Sequence, residues 1–283
     1  MGIRRRFALL GAALAAATAL SPTAQAAGAP EYVALGDSAA AGPLVGSQNP
    51  NIVCLRSNTN YPRVAAQLLG ARLTDVTCSG AKLAAFAGHQ WGFLAPQFNA
   101  LSERTDLVTV TIGGNDVDLV GAAVSCLNAF PEPVGRSCRD RYTAGGHDQL
   151  AERIDAIGPQ VGRAFAEIRR RAPHARLLVV GYATYIRPSG CYPTQPMWAR
   201  DATYIQSNVD RLSALLSREA TAHGGEFLDL APVSRGHDAC APPHQRYIEG
   251  VVPSRFTAPL HPNAAGMDAF GRAVATAVGS SKS

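Results

Sequence analysis

Charge is scarce in this chain of 283 residues: Asp, Glu, Lys and Arg make up 17% of it, against 47% hydrophobic residues. That balance excludes intrinsic disorder, which needs few apolar and many charged side chains. No Gly-X-Y period and no sustained heptad occurs, so collagen and coiled coil drop out as well. The G-x-S-x-G nucleophile elbow is missing, which weighs against the α/β-hydrolase plan. His-Glu-x-x-His, Walker A and G-x-G-x-x-G are missing too. Cysteines never stand at C-x-x-C spacing, the arrangement that zinc and redox thiols favour. Residues 1–26 lack Asp and Glu, yet contain Arg4, Arg5 and Arg6. Those arginines carry three of the five net positive charges, and the remainder of the chain is close to neutral at +2. Nucleic acid is therefore not the default partner.

What is present at the start is a leader. Arg4–Arg6 precede an apolar run from Phe7 to Leu20, and Ala24-Gln25-Ala26 forms a small-x-small cleavage site. The run is too short to span a bilayer comfortably and reads as a signal peptide over residues 1–26, cleaved after Ala26. Arg4-Arg5-Arg6-Phe7 also permits the twin-arginine route, which exports folded protein. No later apolar run approaches about 18 residues, so stable membrane insertion of the mature chain is not expected. Six cysteines, Cys54, Cys78, Cys126, Cys138, Cys191 and Cys240, agree with export to an oxidising compartment. Spacing alone cannot choose their pairing; joining neighbours (54–78, 126–138, 191–240) is the simplest set.

Along the mature chain, short apolar runs alternate with helical patterns. Strands are expected at 31–36, 72–78, 106–112, 175–181 and 226–230, the third rich in β-branched residues. Helices are expected at 61–69, after Asn115 with Asp116 and Asp118 in the first turn, at 148–171, at 201–223 and after Pro262. Such alternation yields one domain, residues 27–283, with a parallel sheet covered on both faces. Ligands bind outside the carboxyl ends of such strands. Two Pro/Gly/Cys-rich stretches, 183–200 and 231–260, read as long functional loops.

Chemistry-bearing residues stand where those strands end. Gly36-Asp37-Ser38 follows the first strand, where backbone N–H groups at a helix start can stabilise an oxyanion; an ordinary serine N-cap explains the motif as well. Cys78-Ser79-Gly80-Ala81 follows the second, and Gly113-Gly114-Asn115-Asp116 follows the third with a side-chain amide donor. His261-Pro262-Asn263 precedes the last helix. In this order they supply a nucleophile, oxyanion donors and a base.

On these residues the sequence resembles the SGNH (GDSL-like) serine hydrolases, and within them the secreted actinobacterial esterase/lipase branch. Gly36-Asp37-Ser38 matches the first block with Ser38 as nucleophile, Gly80 the second block's oxyanion glycine, Asn115 the third block's oxyanion amide, and His261 the base. The resemblance implies a flavodoxin-like three-layer α/β/α sandwich with a central parallel sheet of about five strands, three disulfides between neighbouring cysteines, and an oxyanion hole of Ser38, Gly80 and Asn115. The family's last block usually carries Asp three positions before the histidine; here that position is Ala258. Some members of the branch use a main-chain carbonyl instead, which implies a Ser38–His261 dyad oriented by the Ala258 carbonyl. Ala39-Ala40-Ala41 replaces larger residues of many relatives and points to a wider site.

The activity this implies is secreted hydrolysis of carboxylic esters, of lipid or acyl-glycerol type, by a monomer that needs no metal or other cofactor. A polysaccharide O-acetyl esterase would use the same machinery, and a non-catalytic binding domain of the same fold would not need both Ser38 and His261. His89, His147, His174, His223, His237 and His244 share no ligand spacing and read as surface or loop residues. Trp91, Phe93 and Phe98 form an apolar cluster that could line an acyl pocket or belong to ordinary packing. Arg169–Arg171 end a helix and complement its dipole.

Overall fold

The computed structural model describes Gly2 and residues 28–50 and 52–280; apart from Gly2, the expected leader over residues 1–26 lies outside them. Five parallel strands, β1 (Glu31–Gly36), β2 (Arg72–Asp75), β3 (Leu107–Thr111), β4 (Arg176–Val180) and β5 (Glu226–Leu228), form one sheet in the order β2-β1-β3-β4-β5. This is the flavodoxin-like order, in which the chain reverses its direction of winding at β1 and β3. Register is regular: Tyr32 faces Leu107, and Gly36 faces Thr111.

Alternation along the strands separates two cores. Val33 and Leu35 of β1 point to one face with Val108, Val110, Leu177 and Val179, against the helices Gly158–Arg171 and Ala199–Ala222. Tyr32 and Ala34 point to the other with Leu178 and Val180, against Tyr61–Leu69 and Ala264–Gly279. Both faces are covered, so the central strands β1, β3 and β4 are buried almost throughout. The result is the expected three-layer sandwich.

Two helices differ from the sequence expectation. The pattern over 148–171 is two helices, Gln149–Ala156 and Gly158–Arg171, divided at Ile157. Pro159 lacks an N–H and suits the start of a helix, not its interior. After β3 the helix begins only at Leu119, and Asp118 caps it in left-handed geometry (φ 57°) with no side-chain bond. Asp116 is drawn elsewhere, because its carboxylate accepts the Leu83 N–H at 3.1 and 3.2 Å.

Three disulfides, Cys54–Cys78, Cys126–Cys138 and Cys191–Cys240, join neighbouring cysteines. The last one staples the two long loops to each other. No helix among the described residues is long and apolar enough to cross a membrane.

Candidate active site

Ser38, Gly80, Asn115 and Tyr182 each follow the carboxyl end of a strand, β1 to β4 in turn. At the first of these ends the backbone must pass close to β3. A Cβ on Gly36 would meet Thr111 O at 2.6 Å, and its φ of +151° suits only glycine. Asp37 then donates its N–H to Thr111 O at 2.9 Å and accepts the Ala39 N–H at the same distance through its side chain. Ser38 opens a helix of only four residues, closed by Gly42, so little macrodipole is available there.

The expected base reaches the expected nucleophile from the other end of the chain. His261 Nε2 stands 2.7 Å from Ser38 Oγ, and Nδ1 stands 2.7 Å from a carbonyl oxygen. A carbonyl only accepts, so the proton sits on Nδ1 and the Nε2 lone pair faces the serine. That carbonyl belongs to Pro259, not to Ala258 as the sequence suggested. The cause is local: Leu260 adopts left-handed geometry (φ 59°), which folds the ring back onto the residue two positions before it. Two backbone bonds, Leu260 N–H to Gly250 O at 3.1 Å and Glu249 N–H to His261 O at 3.0 Å, hold that turn in place.

Neither carboxylate of the preceding loop bonds the histidine ring. Asp238 pairs with Arg187 and accepts the Cys240 N–H at 2.9 Å. Glu249 accepts from Asn263 Nδ2 and from the Ser254 hydroxyl and N–H, each at 2.8 Å. Burial pulls the His261 pKa below its ordinary value, opposed by the Pro259 carbonyl.

On the oxyanion side, Asn115 Nδ2 donates one hydrogen to Ala81 O at 2.9 Å and has a second to offer. Gly80 lies in left-handed geometry (φ 76°) beside it in the turn after β2. Tyr182 was not singled out by sequence reasoning. Its buried hydroxyl donates to Asp37 Oδ2 at 2.6 Å and accepts the Gly114 N–H at 2.8 Å. Burial pushes Asp37 up to about 7, against the hydrogen bonds from Tyr182 and Ala39, and the nearby Asp116 charge adds to the rise.

Ser38 and His261 stand on the wall of a cavity of about 800 Å³, its open mouth included. Beyond Ser38 and His261 its walls are mainly apolar: Leu119 and Ala123 of one helix, Ile205 and Val209 of another, with Met197 and Leu260 from the loops. Phe98 is instead packed against Phe86 in the core, while Trp91 and Phe93 are exposed, so the aromatic cluster does not form this lining. Of the three alanines after Ser38 only Ala39 reaches the cavity.

Residues 34–269 match the GDSL-like lipase/acylhydrolase family. The chain belongs to that family. It is 40% identical to Lipase 2 of Streptomyces coelicolor, over 91% of this chain and 88% of that lipase. Two solved structures superpose with a TM-score of 0.73 over 88% of this chain and 99% of theirs. They are phospholipase A1 from Streptomyces albidoflavus at 26% identity and the extracellular lipase from Streptomyces rimosus at 28%. This GDSL-family hydrolase is therefore a carboxylic ester hydrolase, as the four sequence blocks imply.

Proposed function

We propose that the chain is a secreted lipid esterase acting through an acyl-enzyme on Ser38. The observation that carries the reading is the 2.7 Å approach of His261 Nε2 to Ser38 Oγ on the wall of an apolar cavity. His261 takes the hydroxyl proton as Ser38 attacks the ester carbonyl. The oxyanion that forms is met by the Ser38 and Gly80 N–H groups and the free hydrogen of the Asn115 amide. The protonated imidazole keeps its Nδ1–H on Pro259 O and gives its Nε2 proton to the leaving alkoxide. Water then deacylates the serine by the same steps in reverse.

The cavity supports a fatty-acyl ester over an acetyl ester of polysaccharide. Its walls, built mainly of aliphatic side chains, suit a hydrocarbon chain and offer little to sugar hydroxyls. On this reading residues 1–26 are a cleaved leader and residues 27–283 act as a single-domain monomer, with no cofactor involved. Fluorophosphonate labelling of the wild type and of Ser38→Ala, alongside p-nitrophenyl esters of increasing acyl length, tests the assignment. Label should appear only on the wild type, and turnover should favour chains longer than acetyl. A labelled Ser38→Ala protein, or a clear preference for acetylated xylan, would contradict it.

A further inference from the structure

Isolated exposed apolar side chains are normal on a protein surface, whereas a gathered set marks a contact site. Among the described residues, all the exposed large hydrophobics except Leu68, Phe130 and Val134 stand on four segments: two of them carry cavity-wall residues, and two are tied to the turn that holds Gly80.

On the Gly80 side, the turn bearing Ile52 and Leu55 is tied to the loop after β2 by the Cys54–Cys78 bridge and by the Ser79 N–H bonded to Cys54 O. Trp91, 55% exposed, comes within 3.6 Å of where a Gly80 Cβ would stand, and Gln90 Nε2 bonds Ser79 O beside it. Phe93, in the same turn, is 64% exposed. On the other side, Val120 lines the cavity and Val124 follows one helical turn later on the same face. Val252 and Phe256, 79% and 78% exposed, lie in the loop whose ends, Val251 and Leu260, are cavity walls.

Charge in these segments is sparse and of one sign. Residues 52–55, 79–101, 119–127 and 250–261 carry Lys82 and Arg255 and no carboxylate. An apolar ring with isolated cations matches a layer of lipid, whose acyl region meets the hydrophobic side chains while headgroup phosphates meet the cations. A protein partner seated there would close the cavity against its own substrate.

We infer that this ring docks the enzyme on the surface of aggregated lipid, setting the cavity mouth against the ester bonds of the layer. The inference rests on the lipid-ester reading above, and its test separates the two. Ser38→Ala protein is mixed with vesicles of non-cleavable diether phosphatidylcholine, with and without diether phosphatidylglycerol. The chain has two tryptophans, and Trp198 is 5% exposed, so a blue shift of emission on binding reports Trp91. The expected result is a saturable shift, stronger on anionic vesicles, with Phe93→Ser/Phe256→Ser partitioning about tenfold more weakly.

Placed on the active background, that double variant should hydrolyse monomeric p-nitrophenyl acetate at the wild-type rate. Its turnover of emulsified ester should fall with its partitioning, and melting curves check its fold. A wild-type chain that binds neither vesicle while cleaving soluble esters overturns the docking and leaves the esterase reading standing. A double variant that binds as the wild type does overturns it equally. Vesicle binding by a chain that cleaves no ester supports the docking and refutes the esterase reading.

Discussion

The Tyr182 hydroxyl lies between Asp37 Oδ2 and the Gly114 N–H, at 2.6 and 2.8 Å, and so joins the nucleophile's loop to the loop that carries Asn115. Asp37 precedes Ser38, and Gly114 precedes Asn115. One buried hydroxyl thus fixes the spacing between Ser38 and the Asn115 amide. Removing it in Tyr182→Phe leaves two buried polar groups short of a partner, at a cost of about 1–3 kcal/mol of stability. The expected kinetic signature is a fall in kcat of about tenfold or more with KM nearly unchanged, since the misplacement affects the transition state most. Steady-state kinetics on a soluble ester, with a thermal melt for the fold, check this; an unchanged kcat would refute the positioning role.

Because the histidine leans on a backbone carbonyl, no side-chain carboxylate should be decisive. Asp238→Asn and Glu249→Gln are expected to keep activity within about tenfold per folded molecule, where a true triad would lose roughly 10⁴. Both carboxylates are buried and hydrogen-bonded, Asp238 by Arg187 and Glu249 by Asn263 and Ser254, so the variants should melt at lower temperature. His261→Ala should lose nearly all turnover. A thousandfold loss in either folded carboxylate variant would show that a remote acid completes a triad.

Acid response follows from the two groups flanking Ser38. In the proposed mechanism the neutral imidazole is the base, and burial lowers its pKa from 6.5, so the acid limb of kcat/KM should lie below that value. A midpoint above 7 would contradict this, since it would require anionic support for the ring. Asp37 shifts the other way, from 3.8 in the open chain to about 7 when folded. Between those values the folded state holds a proton that the unfolded chain has released, so this carboxyl's contribution to stability falls as pH rises across the window. In melts from pH 4.5 to 7.5, the stability of Asp37→Asn relative to wild type should therefore rise with pH. A difference that is flat with pH would refute the assignment.

The bridges give a chemical test of the loops around the cavity. Denatured, unreduced protein should show essentially no Ellman-reactive thiol, and full reduction should lower the melting temperature, each bridge contributing ~2–4 kcal/mol. Cys191–Cys240 connects the loops that supply Met197 and Ala239 to the cavity wall. Replacing both with serine should slow long-chain esters more than acetate, a ratio that acyl-length kinetics measures directly.

Much of this was legible in order of residues. Buried strands announce themselves as apolar runs, and Gly36-Asp37-Ser38, Gly80, Asn115 and His261 each follow or precede one element in a fixed sequence. The Pro259 carbonyl was not, because the sequence shows no carboxylate at 258 but does not reveal that Leu260 turns left-handed and shortens the reach by one residue. Tyr182 was hidden for another reason. It lies 145 residues from Asp37, and a single hydroxyl leaves no periodic trace. The long helix over 148–171 misled because its apolar rhythm continues past Pro159, where only the missing N–H marks the break.

The Pro259 carbonyl also changes what evolution can do to this site. A side-chain orienter can be deleted by one missense change, whereas a main-chain acceptor is present whatever residue is encoded at 259. Codon changes can remove Ser38 or His261, but the third partner is lost only if the turn through Leu260 is rebuilt. In the proposed mechanism the site therefore offers fewer lethal codons than a triad of three side chains. Its vulnerability moves from chemistry to loop shape, and drifting copies should fail first at the backbone bonds between 249–250 and 260–261.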